Sequence, residues 1–197
     1  MAKRALRGGA LVCPLPPTMV SCGSMEKSNI ITIGWTGILN TIPPKTYISV
    51  RPSRHSYNII KESGEFVINL TPSQLTKEAD FCGIYTGKKV DKFAKCKLTK
   101  EEATQLSCPM IAECPVSIEC KVTEIIPLGS HDMFMADIVA VNVDETLFDK
   151  DDKMRLDKAN LIAYAHGEYF ELGKRIGKFG FSTNKKKKNK NPKNQGK

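Results

Sequence analysis

The dominant pattern along the chain is alternation: short runs in which every second side chain is apolar. Alternation of this kind predicts strands that bury one face. The runs are Thr18 to Gly23, Ile30 to Trp35, Thr46 to Arg51, Glu65 to Leu70, Met110 to Ile126 and His131 to Val143. In the last two, Val116, Ile118, Cys120 and Val122 share one face, as do Phe134, Ala136, Ile138 and Ala140. Pro127 to Ser130 turns the chain between them, which predicts an antiparallel pair. Helical signals are fewer. Ser53 to Ser63 has Ser53 as an N-cap, Tyr57 and Ile60 on one face, and Gly64 to end it. Thr71-Pro72-Ser73-Gln74 predicts a second helix start, with Thr71 as N-cap, running towards Ile84. Lys88 to Cys96 reads as a loop or short helix, Asp144 to Asp152 as an acidic loop, and Leu156 to Ala165 as mixed helix and coil. Gly167 to Ser182 alternates aromatics with glycine and is expected to pack on the body of the fold. Strands returning over short turns, interrupted by short helices, predict a mainly β protein. Its form is a mostly antiparallel barrel with peripheral helices.

Composition changes this picture mainly at the ends. Of 197 residues, 13–182 are expected to form one domain, 1–12 a flexible basic arm and 183–197 a disordered Lys/Asn-rich tail. The formal charge of +9 suggests a polyanion partner, but the cations are unevenly placed. Residues 185–197 hold seven lysines, and the arm holds Lys3, Arg4 and Arg7, with no acid in either. Without these ten cations, residues 13–184 carry a formal charge of −1. Nucleic acid is therefore not an expected partner, and the tail reads as a solvated end. The apolar runs are too short to predict a membrane span, and no signal-type apolar stretch follows the arm, so a cytoplasmic location is expected. The seven cysteines form no CxxC pair, which argues against a metal centre and for small buried thiols in a reducing compartment.

The candidate chemistry sits between Asn29 and Ser56. Gly34-Trp35-Thr36-Gly37 lets backbone approach a flat ligand closely, since two residues lack Cβ. Arg51-Pro52-Ser53-Arg54-His55-Ser56 gathers cationic and hydroxyl donors at a strand-to-helix junction, which suits a phosphate. A planar-ring slot beside a phosphate corner predicts flavin mononucleotide, FMN. Arg51 and Arg54 are the expected phosphate ligands, with Ser53 and Ser56 donating hydroxyls. Asn29, Thr32 and Thr36 are expected to meet the polar edge of the ring, and Ile33, Gly34, Ser49 and Val50 to complete the slot. Trp35, the only tryptophan, is expected to lie against the ring. Asn69 ends a strand at a comparable level, with a capping or turn role as the alternative. Cys82 is read as packing. No GxGxxG or GxxxxGK[ST] run is present, so NAD(P)H would visit by stacking on the flavin rather than in a Rossmann unit.

Taken together, Asn29 to Gly37, Ile48 to Ile60, Gly64 to Asn69, Gly87 to Phe93 and Gly167 to Ser182 resemble the flavin reductase-like family, nearest to its flavoredoxin branch. The resemblance spans roughly residues 12–182. It implies an FMN-binding split β-barrel and a homodimer with flavin at the interface. It also implies that Lys92 and His131 reach the flavin and that Tyr164 covers the site. The family's Gly-Asp-His turn reads Gly129-Ser130-His131 here, without the acid. The implied activity is hydride transfer from NAD(P)H to flavin N5, with electrons passed to flavin, ferric iron or a protein acceptor. The alternative is a non-catalytic electron carrier reduced only by partner redox proteins.

Overall fold

In the computed structural model, which describes residues 1–183, the alternating runs join into one seven-stranded sheet. Its strands are β1 (Thr18–Gly23), β2 (Ser28–Ile33), β3 (Thr36–Thr41), β4 (Pro44–Val50), β5 (Glu65–Asn69), β8 (Val116–Pro127) and β9 (Asp132–Val143). Two-residue strands β6 (Lys100–Glu101) and β7 (Met110–Ile111) pair separately, as do β10 (Ile162–Ala165) and β11 (Glu168–Glu171). Three helices lie outside: α1 (His55–Ser63), α2 (Thr76–Ile84) and α3 (Lys92–Cys96). None of the described helices is long and apolar enough to cross a membrane.

The strand order β2-β1-β5-β8-β9-β4-β3 puts β2 at one edge and β3 at the other. Yet only Gly34 and Trp35 separate them in the chain. Three peptide steps reach about 11 Å at most. The sheet must therefore curl until its edges nearly meet; Ser49 N–H donates to Trp35 O at 2.9 Å, which carries the β3–β4 ladder up to that short connection. This is the split in the barrel. It lies where the sequence pattern placed the candidate chemistry.

β1 and β2 sit between two cores, which explains why β1 is buried on both faces. Val20, Ile31 and Ile33 point into the barrel with Ile48, Phe66, Ile68 and Phe134, and α1 adds Tyr57 and Ile60. Met19 and Ile30 face the other way, against Ala79 and Cys82 of α2, Phe93 of α3, and Leu98 and Ile111. Burial of apolar surface at about 25 cal/mol per Å² fixes both layers on the same two strands.

Some expectations are corrected. Between the runs ending at Trp35 and beginning at Thr46 the structure adds a strand, β3, which forms a hairpin with β4 around Pro43-Pro44. The first helix begins at His55, with Arg54 rather than Ser53 at the N-cap. Thr71 caps nothing: its hydroxyl donates to Pro17 O, a 3-10 turn spans Ser73–Leu75, and α2 starts at Thr76. Leu156 to Ala165 holds a 3-10 turn followed by β10. Beyond β11 the chain does not pack on the barrel: Leu172, Ile176, Phe179 and Phe181 are all exposed. The arm carries no regular structure, and the expected tail lies outside the described residues from 184 onward.

Candidate functional site

Two cavities meet at the seam. The larger, about 320 Å³, is walled by Asn29, Ser53, Ser56, Gly87 and Lys92, and the smaller, about 160 Å³, by Thr32 to Trp35, Ser49 and Val50. Ile31, Arg51 and Arg54 line both, so the two form one continuous groove. The Trp35 turn and the Arg51–Ser56 corner thus face a common space, as the sequence pattern predicts.

The larger cavity is built for an anion. No carboxylate lines it. None of its cations, Arg51, Arg54 or Lys92, belongs to any of the ion pairs found among the described residues. α1 enters beside it, and Arg54 at the N-cap offers no side-chain acceptor to the first-turn N–H groups. Tyr57 N–H donates to Arg54 O at 3.1 Å, which leaves the N–H groups of His55 and Ser56 for a ligand, and the helix dipole adds to them. Ser56 is fully buried and accepts from Asn29 Nδ2 at 2.7 Å. His55 is kept below the usual imidazole pKa by partial burial and by the charges of Lys88, Lys92 and Lys27.

Lys92 is fixed from below. It is buried, and Nζ donates to Ile30 O at 2.6 Å and Cys82 O at 2.7 Å. Burial, with Arg54 nearby, lowers its pKa. The ammonium thus joins β2 to α2 while forming part of the cavity wall. Gly87 closes the opposite side. A Cβ there would sit 2.1 Å from Asn29 Oδ1 and 2.7 Å from His55 Cδ2, so only glycine fits. The sequence pattern did not single out Gly87 as a site residue, nor Tyr85 or Thr86, which also line the cavity. The one signal for this loop was its place in the resembling segment from Gly87 to Phe93.

At the smaller cavity Trp35 is 42 % exposed, so it is a surface of the groove rather than core filling. Its ring lies 4.5 Å from that of His131, tilted by 44°. Arg51 Nε donates to His131 Nε2 at 3.4 Å, and Ser130 Oγ lies 3.0 Å from Nδ1. Burial, Arg51 and Arg54 together hold the imidazole pKa below its ordinary value. Tyr57 OH donates to Asp132 Oδ2 at 2.5 Å, tying α1 to the start of β9 behind this cluster.

Three expected site residues lie apart from the groove or are already committed elsewhere. Thr36 donates its hydroxyl to Tyr47 O at 2.6 Å inside the β3–β4 hairpin. Asn69 is fully buried, donating to Met19 O and Ser21 Oγ while accepting from Ile111 N–H and Ser117 Oγ. Its amide joins four chain segments and lines neither cavity. Tyr164 sits in the β10–β11 hairpin against Tyr169, at 5.2 Å between ring centres, and also lines neither. Thr32 lines the groove, but its hydroxyl is spent on Ala79 O. Cys82 packs as expected. Burial pushes its thiol up to about 12, so it stays protonated at neutral pH. No group of three or more metal-ligating side chains occurs among the described residues.

Comparison with known proteins agrees with the fold. Flavoredoxin of Desulfovibrio vulgaris superposes with a TM-score of 0.86 at 29% identity, covering 93% of this chain and 100% of that one. Flavoredoxin from Methanosarcina acetivorans gives 0.82 at 26% identity, covering 92% and 100%. An FMN-binding protein from Thermus thermophilus shares the fold, with a TM-score of 0.75 at 22% identity over 90% of this chain and 97% of that one. The family model described as flavin reductase like domain matches residues 11–173, nearly the whole described body. With that match and the split barrel, this chain belongs to the flavin reductase-like family.

Proposed function

We propose that this protein is an FMN-dependent oxidoreductase acting as a homodimer. One observation carries the reading: a cavity lined by unpaired cations and no carboxylate runs, through Arg51 and Arg54, into a second cavity walled by Gly34 and Trp35. The residues fit the cofactor. Arg51 and Arg54 hold the phosphate as planar donor forks, and Ser53 and the first turn of α1 add hydroxyl and N–H donors. Gly87 keeps the cradle open, since any Cβ there would enter it. Backbone between Thr32 and Trp35, with Ser49 and Val50, borders the ring, and Trp35 limits its solvent access. Lys92 supplies positive charge from beneath the larger cavity, where it favours the phosphate. When bound, FMN supplies hydride acceptance from NAD(P)H and onward electron delivery to flavin, ferric iron or a protein acceptor.

The test is a fluorescence titration of purified protein with FMN and with riboflavin. Arg54→Ala is expected to weaken FMN binding by roughly 10- to 100-fold, as for loss of a charged hydrogen bond, and to leave riboflavin binding nearly unchanged. Equal losses for both ligands, or no FMN uptake by the parent protein, would remove the phosphate assignment. Stopped-flow mixing with NADH and NADPH then separates the enzyme from the carrier. Rapid bleaching of the flavin absorbance supports the former. Reduction only by a partner redox protein supports the latter.

A further inference from the structure

The turn Gly129-Ser130-His131 joins β8 to β9 at the groove. Leu128 N–H donates to His131 O at 3.0 Å, and Gly129 takes φ +104°, which few other residues tolerate. This tight turn delivers His131 beside Trp35 and Arg51. The two ring nitrogens have different partners. Nε2 faces Arg51 Nε, a group that only donates, so Nε2 must be unprotonated there. A neutral imidazole then carries its proton on Nδ1, and Nδ1–H donates to Ser130 Oγ at 3.0 Å.

We propose that Ser130 is a positioning residue that fixes His131 in the Nδ1–H form, so that its Nε2 lone pair holds the Arg51 guanidinium at the junction of the two cavities. This deepens the flavin reading and rests on it for its meaning, though its central test needs no flavin.

The physical argument concerns what a serine does that a carboxylate would not. An acid at position 130 would stabilise the imidazolium and raise its pKa. The charged groups facing His131 are Arg51 from the end of β4 and Arg54 from the N-cap of α1, both cationic. Asp132, next in the chain, is occupied with Tyr57 on α1. A neutral hydroxyl in this setting orients the ring without charging it. Protonation would convert Nε2 into a donor opposite another donor and release Arg51. The neutral form therefore keeps Arg51 aimed into the groove at physiological pH.

Two measurements test this. The chain has three histidines, and long-range 15N–1H correlation of their side chains reports the tautomer directly, with His131 assigned through His131→Gln. The expected result for the free protein at neutral pH is protonated Nδ1 and unprotonated Nε2; the opposite tautomer overturns the proposal. Trp35 is the sole tryptophan and lies against His131, so its emission is quenched when the imidazole gains a proton. Its pH titration should show a midpoint below 6.5, the ordinary value. Ser130→Asp should move that midpoint up by about one unit or more. Ser130→Ala should leave the fold intact, because the side chain is exposed, and weaken FMN about three- to tenfold relative to riboflavin. An unmoved midpoint in Ser130→Asp, or an unchanged FMN-to-riboflavin ratio in Ser130→Ala, refutes the positioning role. Loss of both ligands by the parent protein would instead refute the flavin reading and leave the tautomer result standing.

Discussion

Lys92 is the one deeply buried cation among the described residues, and its two carbonyl partners come from different elements. It shows how the groove is held from within, by polar groups whose bonding is nearly complete. Gly87 is the tightest of these fits. Its φ is not in the left-handed region, so the constraint is space and not backbone strain. Gly87→Ala is expected to cost about 1–3 kcal/mol of stability by overpacking against Asn29 and His55. FMN binding should fall more steeply than the melting temperature suggests, because the displaced Asn29 is bonded to Ser56 at the anion corner. Thermal denaturation with and without FMN checks both; an alanine variant with parental Tm and affinity would show that the loop moves aside. At this scale the sequence is legible in part. Arg51, Ser53, Arg54 and Ser56 were visible as a dense donor cluster, and they do share a cavity. Asn69 and Thr36 were not legible, because sequence shows that an amide or hydroxyl exists but not whether nearby backbone already satisfies it.

Among the elements, β8 contains the least predictable feature. Alternation along Val116 to Val122 is correct in outline, yet Glu119 is fully buried beside the bulge between Glu119 and Cys120. Its carboxylate accepts from Thr104 N–H and Oγ1, Gln105 N–H and Asn142 Nδ2, tying the segment that follows β6 to the sheet. Burial pulls its pKa up, but the four donors outweigh this and leave it lowered from 4.5. A carboxylate whose folded pKa is depressed contributes stability above its unfolded pKa and loses it as pH falls through the folded value. Acid-limb unfolding should therefore begin below about pH 4.5. Glu119→Gln should cost about 1–3 kcal/mol at neutral pH, since one amide cannot accept from all four donors. It should also flatten the acid limb. Urea melts at pH 7 and pH 4 decide it, and parallel curves for the two proteins at both pH values would remove Glu119 from that role. β3 was missed for the opposite reason. Thr36–Thr41 buries nothing fully, so no hydrophobic period marks it, and its place comes from the β4 ladder alone.

For the whole molecule, the apolar residues left uncovered form the argument. Ile38, Leu39 and Ile42 lie exposed on β3 and its turn, at one edge of the sheet. Leu172, Ile176 and Phe179 follow β11 in a segment without regular structure, and Ile176 and Phe179 are as exposed as in an extended chain, at 97 % and 108 %. The aromatic–glycine alternation after Gly167 had suggested packing on the barrel. The pattern was real, but a sequence does not say which copy of the fold an apolar segment covers. Exposed apolar surface on this scale marks an interaction face. A second copy is the occupant that fits the proposed homodimer, because β3 leads directly from Trp35 and an interface there would border the groove. A stable dimer needs on the order of 1,000 Å² or more of buried surface, which calls for an interface wider than a single strand edge. Light scattering is expected to give twice the chain mass. Phe179→Asp combined with Ile176→Asp should shift the protein to monomer while Tm of the barrel changes little, since neither side chain packs within the protomer. If the partner completes the groove, the same variant should lose FMN affinity by about tenfold or more, the effect of removing one or two good contacts. A monomeric parent protein would end the dimer proposal. A dimer that survives both aspartates would move the interface to the β3 edge, where Ile38→Asp provides the corresponding test.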